Sequence, residues 1–199
     1  MAKSVDFSVF SILVTGSDRG IGLGLVKRFL ELPSPPEWVF ATTLDLEGEE
    51  TKTLLILKAS KRLGKKWNSI LEKAFLPLLK KAAQRSPCQV LSSSKAAIIN
   101  MSSIGGSIER IGYWDQAKVI GYRCSKAALN MLTKCQSLEY SADGIMSVAI
   151  HPGLVKTSQK ITMGISVEES TQGIVTVMSK LCEEDNGTFL DWLGRPIPW

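Results

Sequence analysis

A glycine-rich turn, Thr15 to Gly22, constrains the fold of this chain more than any other feature of the sequence. It follows a short apolar stretch, Ser11–Val14, that predicts a strand. It leads into Ile21–Leu32, where apolar residues recur every three to four positions, as in an amphipathic helix. Glycines at such a junction, spaced here as G-x-x-x-G-x-G, permit a tight turn and the close approach of a pyrophosphate to the helix N-terminus. We therefore predict a dinucleotide-binding turn, the alternative being a plain strand-to-helix connection.

Arg19 lies inside this turn. A guanidinium group at that point is suited to pairing with the 2′-phosphate that distinguishes NADP from NAD. The residue thus favours NADP(H) over NAD(H) as the cofactor, and the alternative is an arginine that is merely exposed to solvent.

Apolar stretches and helical patterns alternate along the rest of the chain, which is typical of βαβ units and a parallel sheet. A polar, helix-prone segment over Leu46–Lys66 follows the second predicted strand, and Pro77 is expected to interrupt the helix after it. The predicted strands are Ser11–Val14, Trp38–Ala41, Ala96–Met101, Met146–Ile150 and Thr188–Trp192, and the other predicted helices are Ile70–Ala83, Tyr122–Tyr140 and Val167–Leu181.

Length and composition indicate one globular domain over residues 1–199, in which residues 49–70 are atypical. No apolar run approaches the roughly 20 residues that a membrane-spanning helix needs. The apolar stretch Val9–Val14 is too short for a signal peptide, so we expect a cytoplasmic protein. The four cysteines have no C-x-x-C spacing, which favours free thiols in a reducing compartment over a zinc site or disulfides. No metal site is predicted.

The net charge of +5 includes a lysine-rich stretch from Lys58 to Lys66. Such a run is compatible with nucleic acid or an anionic membrane surface as a partner. No aromatic residues are interleaved with it to stack on bases. We therefore interpret it as a solvated helix face and expect no nucleic-acid partner.

Tyr122 and Lys126 are four residues apart in a predicted helix and therefore lie on the same face. An ammonium group beside a phenol favours the phenolate form. A phenol tuned in this way is a usable general acid for a carbonyl group that is being reduced. The alternative is an ordinary pair of surface side chains.

Ser102 and Ser103 follow a predicted buried strand, at the end where ligands bind in open α/β sheets. A serine hydroxyl there can donate a hydrogen bond to a carbonyl oxygen as negative charge develops. Serines also end strands because they favour turns, so the position alone leaves both interpretations open.

The order of these three features, together with His151-Pro152-Gly153-Leu154-Val155-Lys156-Thr157 after the next strand, resembles the short-chain dehydrogenase/reductase family. The phrases Leu13-Val14-Thr15-Gly16-Ser17, Asn100-Met101-Ser102-Ser103 and Tyr122-Arg123-Cys124-Ser125-Lys126 are most similar to its C-factor (C-signal) and sniffer-type carbonyl reductase branch. This resemblance implies a Rossmann-type, doubly wound parallel sheet. It also implies an NADP-dependent oxidoreductase that transfers hydride to a small carbonyl substrate.

The resemblance further implies roles for individual residues. Tyr122 would be the proton donor, Lys126 would tune it and hold the nicotinamide ribose, and Ser103 would orient the substrate. His151 precedes the nicotinamide pocket and is expected to be structural. The residues implied to contact the cofactor are Gly16, Ser17, Arg19, Gly20, Ile21, Gly22, Tyr122, Lys126, Pro152, Gly153, Val155 and Thr157.

The chain departs from the family between its second and third predicted strands. The 54 residues from 42 to 95 are too few for two further strands and three helices, at about 30 residues for each βαβ unit. The family's Asn-Asn-Ala-Gly motif, its catalytic asparagine and its adenine-binding aspartate have no counterpart there. Leu44 stands where NADP-using relatives often have an arginine. We therefore predict that about two central strands are missing and that the cofactor site is half built and the fold less stable.

Two classes of function remain open from the sequence. One is an NADPH-dependent carbonyl reductase that uses Ser103, Tyr122 and Lys126. The other is a catalytically inactive variant or an interaction protein that keeps the fold. The chain is compatible with a homo-oligomer, which the deletion would weaken.

Overall fold

The computed structural model describes residues 7–42, 67–111, 114–115, 118–158 and 163–199, with the side chains of 67–85 described from Phe75 onward. The helix-prone segment 46–66, the lysine-rich stretch 58–66 and Leu44 lie outside the described residues. The described strands are β1 (Ser11–Val14), β2 (Trp38–Ala41), β3 (Ala97–Met101), β4 (Met146–His151) and β5 (Phe189–Asp191). The helices are α1 (Gly20–Leu30), α2 (Trp67–Arg85), α3 (Ile120–Glu139) and α4 (Val167–Met178).

The chain divides into two compact units, of which the first comprises Met1–Pro77 and Leu154–Ser179. In this unit β1 pairs in parallel with β2, from Ser11 opposite Trp38 to Val14 opposite Ala41. Helix α1 has one buried apolar face, which includes Val26 and Phe29. It approaches α4 closely, because a side chain at Gly24 would meet Val167 Cγ1 at 2.5 Å. The parallel pair and its crossover helix are a βαβ unit.

The second unit comprises Leu78–Gly153 and Lys180–Trp199. Its sheet has the parallel order β3-β4-β5. Strand β4 lies at the centre, and its residues 146–150 are fully buried, as expected of a parallel strand that is covered on both faces. Helix α3 packs against β4 and contributes buried polar side chains that bond to the sheet. These features place the carboxyl end of β3 beside the first turns of α3.

The predicted Rossmann-type fold of parallel strands and helices is confirmed, with sheets of only two and three strands among the described residues. Every predicted strand is present within one residue at each end. The expectation that Pro77 interrupts a helix is wrong, because α2 continues through it. Proline removes one backbone hydrogen bond and its ring crowds the carbonyl group four residues earlier, but its fixed φ is compatible with a helix, and α2 extends over 19 residues. The single-domain assignment stays a prediction.

No helix in the described parts of the chain is both long and apolar enough to span a bilayer.

Candidate active site

Ser103 is the second residue after β3 and caps a short 3-10 turn, Ile104–Gly106. Its Oγ accepts a hydrogen bond of 3.1 Å from the backbone N–H of Gly105. This bond uses a lone pair of the hydroxyl and leaves its hydrogen for another acceptor. The neighbouring Ser102 is 3% exposed, and its hydroxyl donates to Asn130 Oδ1 at 2.5 Å. Of the two serines, Ser103 is therefore the one whose hydroxyl is suited to a ligand.

Tyr122 lies in the first turn of α3, and its side chain is half exposed. Lys126 lies one turn further along the same helix, with its Nζ 5.8 Å from the centroid of the Tyr122 ring. That Nζ donates a hydrogen bond of 2.7 Å to the carbonyl oxygen of Met101, at the end of β3. Burial lowers the pKa of Lys126, since desolvation penalises its charged form. The backbone bond and the ring hold the ammonium group in one place.

Gly105 lies where the serine and the tyrosine come together. A Cβ built on Gly105 would lie 3.5 Å from Ser103 Oγ and 3.8 Å from Tyr122 Cε1. Both side chains therefore border the same small space, and the absence of a side chain at position 105 leaves that space open. The structure thus brings together the three residues that the sequence singled out for catalysis.

The glycine-rich turn belongs to the first unit and depends on glycine at three positions. Gly16 and Gly20 have φ values of +63° and +54°, in the left-handed region that side chains disfavour. A Cβ on Gly22 would lie only 2.1 Å from the carbonyl oxygen of Gly16. Arg19, the N-cap residue of α1, makes no side-chain capping bond. An uncapped N-terminus beside a tight glycine turn is chemically suited to a phosphate group.

Ser17 and Arg19 occupy different environments in this turn. The N–H and the hydroxyl of Ser17 both donate to the carbonyl oxygen of Thr42, each at 2.9 Å, and the residue is fully buried. Ser17 thereby ties the turn to the residue that follows β2. The Arg19 side chain is 79% exposed, with its Nε 3.0 Å from the carboxylate of Asp18. Ile21 is partly buried in the first turn of α1.

The segment after β4 contains the remaining residues predicted to contact a cofactor. Pro152 is buried and Gly153 has a φ of +88°. Val155 is buried and forms a parallel bridge with Ile165. The methyl carbon of Thr157 would lie 3.3 Å from a Cβ on Gly20. Within the first unit, the structure therefore brings Thr157 to the glycine-rich turn, although the two are distant in sequence.

His151 ends β4 opposite Asp191 of β5. Its Nδ1 is buried and has no hydrogen-bond partner among the described residues. Burial lowers the pKa of His151, and the nearby Asp191 carboxylate partly offsets this effect. A histidine kept neutral by burial is consistent with the structural role expected of it, which stays a prediction.

Sequence reasoning missed several buried polar side chains of α3. Asn100 Nδ2 donates to Thr133 Oγ1 at 2.9 Å and to Gln136 Oε1 at 2.8 Å, and Ser147 Oγ also donates to Gln136. Asn130 bonds to the segment that carries Ser103. The only signal for Asn130 in the sequence is its spacing, because it lies four residues after Lys126 and eight after Tyr122.

Among the described residues, no three or more His, Cys, Asp or Glu side chains form a group that could hold a metal ion. The four cysteines are free thiols.

The family profile described as short chain dehydrogenase matches residues 57–166, more than half of the chain. This chain belongs to the short-chain dehydrogenase family. Its C-signal relative from Myxococcus xanthus is 31% identical over 131 residues, which cover 63% of this chain and 68% of the relative. The resemblance that the motifs indicated is therefore confirmed.

Solved structures of carbonyl reductases are similar to this short-chain dehydrogenase over nearly its whole length. The crystal structure of NADPH-bound carbonyl reductase from chicken fatty liver matches with a TM-score of 0.87 and 38% identity, covering 100% of this chain and 97% of that one. The carbonyl reductase Sniffer of D. melanogaster matches with a TM-score of 0.80 and 33% identity, covering 96% of this chain and 100% of that one.

An uncharacterized oxidoreductase of Schizosaccharomyces pombe shows how this short-chain dehydrogenase differs in length. The alignment is 24% identical over 258 positions and covers 94% of this chain and 96% of the relative. Since this chain has only 199 residues, the alignment must open gaps in it. This agrees with the internal deletion predicted from the sequence.

Proposed function

We propose that this chain is an NADPH-dependent carbonyl reductase. The observation that carries the proposal is that Ser103 and Tyr122 border the open space at Gly105, with Lys126 Nζ beside the Tyr122 ring. The similarity to two carbonyl reductases, one of them with NADPH bound, supports the same activity.

The residues of the glycine-rich turn fit the phosphate end of a dinucleotide. The turn excludes side chains at positions 16, 20 and 22, and the N-terminus of α1 has no capping side chain. Gly16, Gly20 and Gly22 would line the pyrophosphate, while Ser17 would hold the turn in shape through Thr42. The other residues that we propose to contact the cofactor are Ile21, Tyr122, Lys126, Pro152, Gly153, Val155 and Thr157.

When bound, NADPH supplies the hydride for the carbonyl carbon. Ser103 donates a hydrogen bond to the carbonyl oxygen, since its bond to the N–H of Gly105 does not use the hydrogen of the hydroxyl. The phenol of Tyr122 gives its proton to the same oxygen as negative charge develops there. The Lys126 ammonium favours the resulting phenolate, and its bond to Met101 keeps it in place.

The preference for NADPH over NADH rests on Arg19. Its guanidinium is exposed and is held by Asp18, whose side chain is only 13% exposed. A 2′-phosphate carries more negative charge than a ribose hydroxyl and would compete with that carboxylate for the guanidinium. We therefore expect Arg19→Ala to weaken NADPH binding and to leave NADH binding unchanged.

A catalytically inactive protein that keeps the fold is the second candidate. The gaps that the alignment with the S. pombe oxidoreductase opens in this chain favour it. An incomplete adenine side of the cofactor site would lower affinity even where the catalytic residues are intact.

Calorimetric titration of the purified chain with NADPH and with NADH tests the proposal first. Saturable binding in the micromolar range, tighter for NADPH, supports the reductase, and a screen of aldehydes, ketones and quinones follows. A folded chain that binds neither nucleotide would contradict the proposal and favour the inactive protein.

We also propose that the protein is cytoplasmic and forms a homo-oligomer. Free thiols suit a reducing compartment. One exposed face of α3 has Cys124, Ala128, Met131, Cys135 and Leu138 at alternating spacings of four and three residues. That stripe is suited to pairing with the same stripe of a second copy. Met131→Lys should then shift the sedimenting species to the monomer, and a wild-type chain that sediments only as a monomer would contradict self-association.

A further inference from the structure

Asn130 joins helix α3 to both ends of the segment that carries Ser103. The residue is 4% exposed. Its Oδ1 accepts the hydrogen bond from Ser102 Oγ, and its Nδ2 donates to the carbonyl oxygen of Gly106 at 3.2 Å. The segment Ser102–Gly106 is therefore held to the helix just before Ser103 and again three residues after it.

The chemistry of the two partners fixes the orientation of the Asn130 amide. The carbonyl oxygen of Gly106 can only accept a hydrogen bond, so the amide nitrogen must face it. The amide oxygen then faces Ser102, whose hydroxyl is able to donate. Each end of the side chain thus has a partner of the complementary kind, and leucine, which has a similar shape, reproduces neither bond.

The same segment lies directly against the turn of α3 that contains Lys126. A Cβ on Gly106 would lie 2.7 Å from the Lys126 carbonyl carbon, which shows that the two backbones are in close contact. Tyr122, Lys126 and Asn130 follow one another at four-residue intervals on the helix. The helix face that holds the proton donor also holds the serine segment.

We propose that Asn130 is a positioning residue, which sets the Ser103 hydroxyl at its working distance from Tyr122. This inference rests on the proposed reductase function. Small displacements of a positioned hydrogen-bond donor lower the rate of the chemical step more than they affect the binding of a cofactor elsewhere.

Asn130→Leu is the informative variant, because leucine has nearly the shape of asparagine and can form neither the bond to Ser102 nor the bond to Gly106. Thr133→Val is the matched control. Thr133 is fully buried on the same helix and bonds to Asn100, and its loss should lower the melting temperature without touching the serine segment. Hydrogen exchange of the segment and steady-state kinetics are measured for both variants and for the wild type.

In Asn130→Leu we expect the amides of Gly106 and Ser107, which bond to Ser103 and Ile104, to exchange at least about tenfold faster. We expect kcat to fall by about tenfold or more and the Kd for NADPH to change by less than about twofold. Thr133→Val should leave the exchange of these amides, kcat and the Kd for NADPH near their wild-type values.

The exchange measurement separates this inference from the proposed function. Unchanged exchange in Asn130→Leu would overturn the positioning role whether or not the wild type turns over. Faster exchange with kcat unchanged would overturn it as well. If exchange is faster in the variant but the wild type shows no turnover, the result would support the anchoring of the segment by Asn130. It would then contradict only the proposed reductase activity.

Discussion

Lys126 Nζ lies 5.8 Å from the centroid of the Tyr122 ring and at the same time 2.7 Å from the carbonyl oxygen of Met101. The lysine thus connects Tyr122 on α3 to the end of β3, where the serine segment begins. An ammonium group that is held by the backbone stays close to the phenol ring. This arrangement gives the predicted helical pair a fixed geometry that a pair of free surface side chains would not have.

Tyr122→Phe tests the role of the phenol in proton transfer. The variant removes one hydroxyl from a half-exposed side chain, so the fold and NADPH binding should be unchanged. Loss of a general acid should lower kcat by about 10²–10⁴-fold. NADPH oxidation with a carbonyl substrate measures the effect, and Tyr140→Phe, at the other end of α3, is the control. Equal turnover in both variants would remove Tyr122 from the mechanism.

Lys126→Met tests the effect of burial on the lysine through the pH dependence of stability. The pKa of Lys126 is lower in the folded protein than its value of about 10.5 in the unfolded chain. At pH values between these two pKa values, the unfolded chain therefore binds more protons than the folded protein. The free energy of unfolding of the wild type should therefore rise, relative to the variant, as pH increases through this window. Urea unfolding at about pH 7 and about pH 10 measures the difference. A difference that is constant with pH would show that the lysine is not desolvated.

Gly22→Ala tests the close packing of the glycine-rich turn. The added Cβ would lie 2.1 Å from the Gly16 carbonyl oxygen, so the backbone must move. We expect a loss of about 2–4 kcal/mol in the free energy of unfolding and weaker NADPH binding. Gly121→Ala is the matched control, since a Cβ at Gly121 would meet nothing within 4 Å. Chemical denaturation compares the two, and equal stabilities would contradict the geometry of the turn.

Asp191→Asn tests the turn that follows β5. The Asp191 carboxylate accepts hydrogen bonds from the N–H groups of Leu193 and Arg195 at 2.9 Å and from Arg195 Nε at 2.6 Å. Desolvation would raise the pKa of Asp191, but these bonds and the charge of Arg195 outweigh it and lower the pKa.

Because this pKa is depressed, the carboxylate stabilises the fold above its unfolded value of about 3.8, and the contribution is lost as pH falls through the folded pKa. The variant should lose about 1–3 kcal/mol at neutral pH and less near pH 3. Thermal unfolding at both pH values measures this. A penalty that is as large in acid as at neutral pH would show that the charge of Asp191 is not responsible.

Local sequence determined the elements and the identity of the catalytic candidates. Alternating apolar stretches, the glycine spacing and the four-residue interval between Tyr122 and Lys126 each act within one strand, turn or helix. Such short-range features depend on backbone geometry that every chain shares, so they can be recognised without the tertiary structure. A local pattern identifies a proline as a helix breaker, so the sequence could not establish that Pro77 would be tolerated within α2.

Tertiary structure decided which groups meet. The Lys126 bond to Met101, the Ser17 bonds to Thr42 and the contact of Thr157 with the glycine-rich turn join residues that are at least 25 positions apart. Only packing could determine that the Ser102 hydroxyl is used by Asn130 while that of Ser103 keeps its hydrogen for a ligand. Hydrogen bonds between distant segments require the chain to bring specific atoms within about 3 Å, and no local pattern encodes that distance.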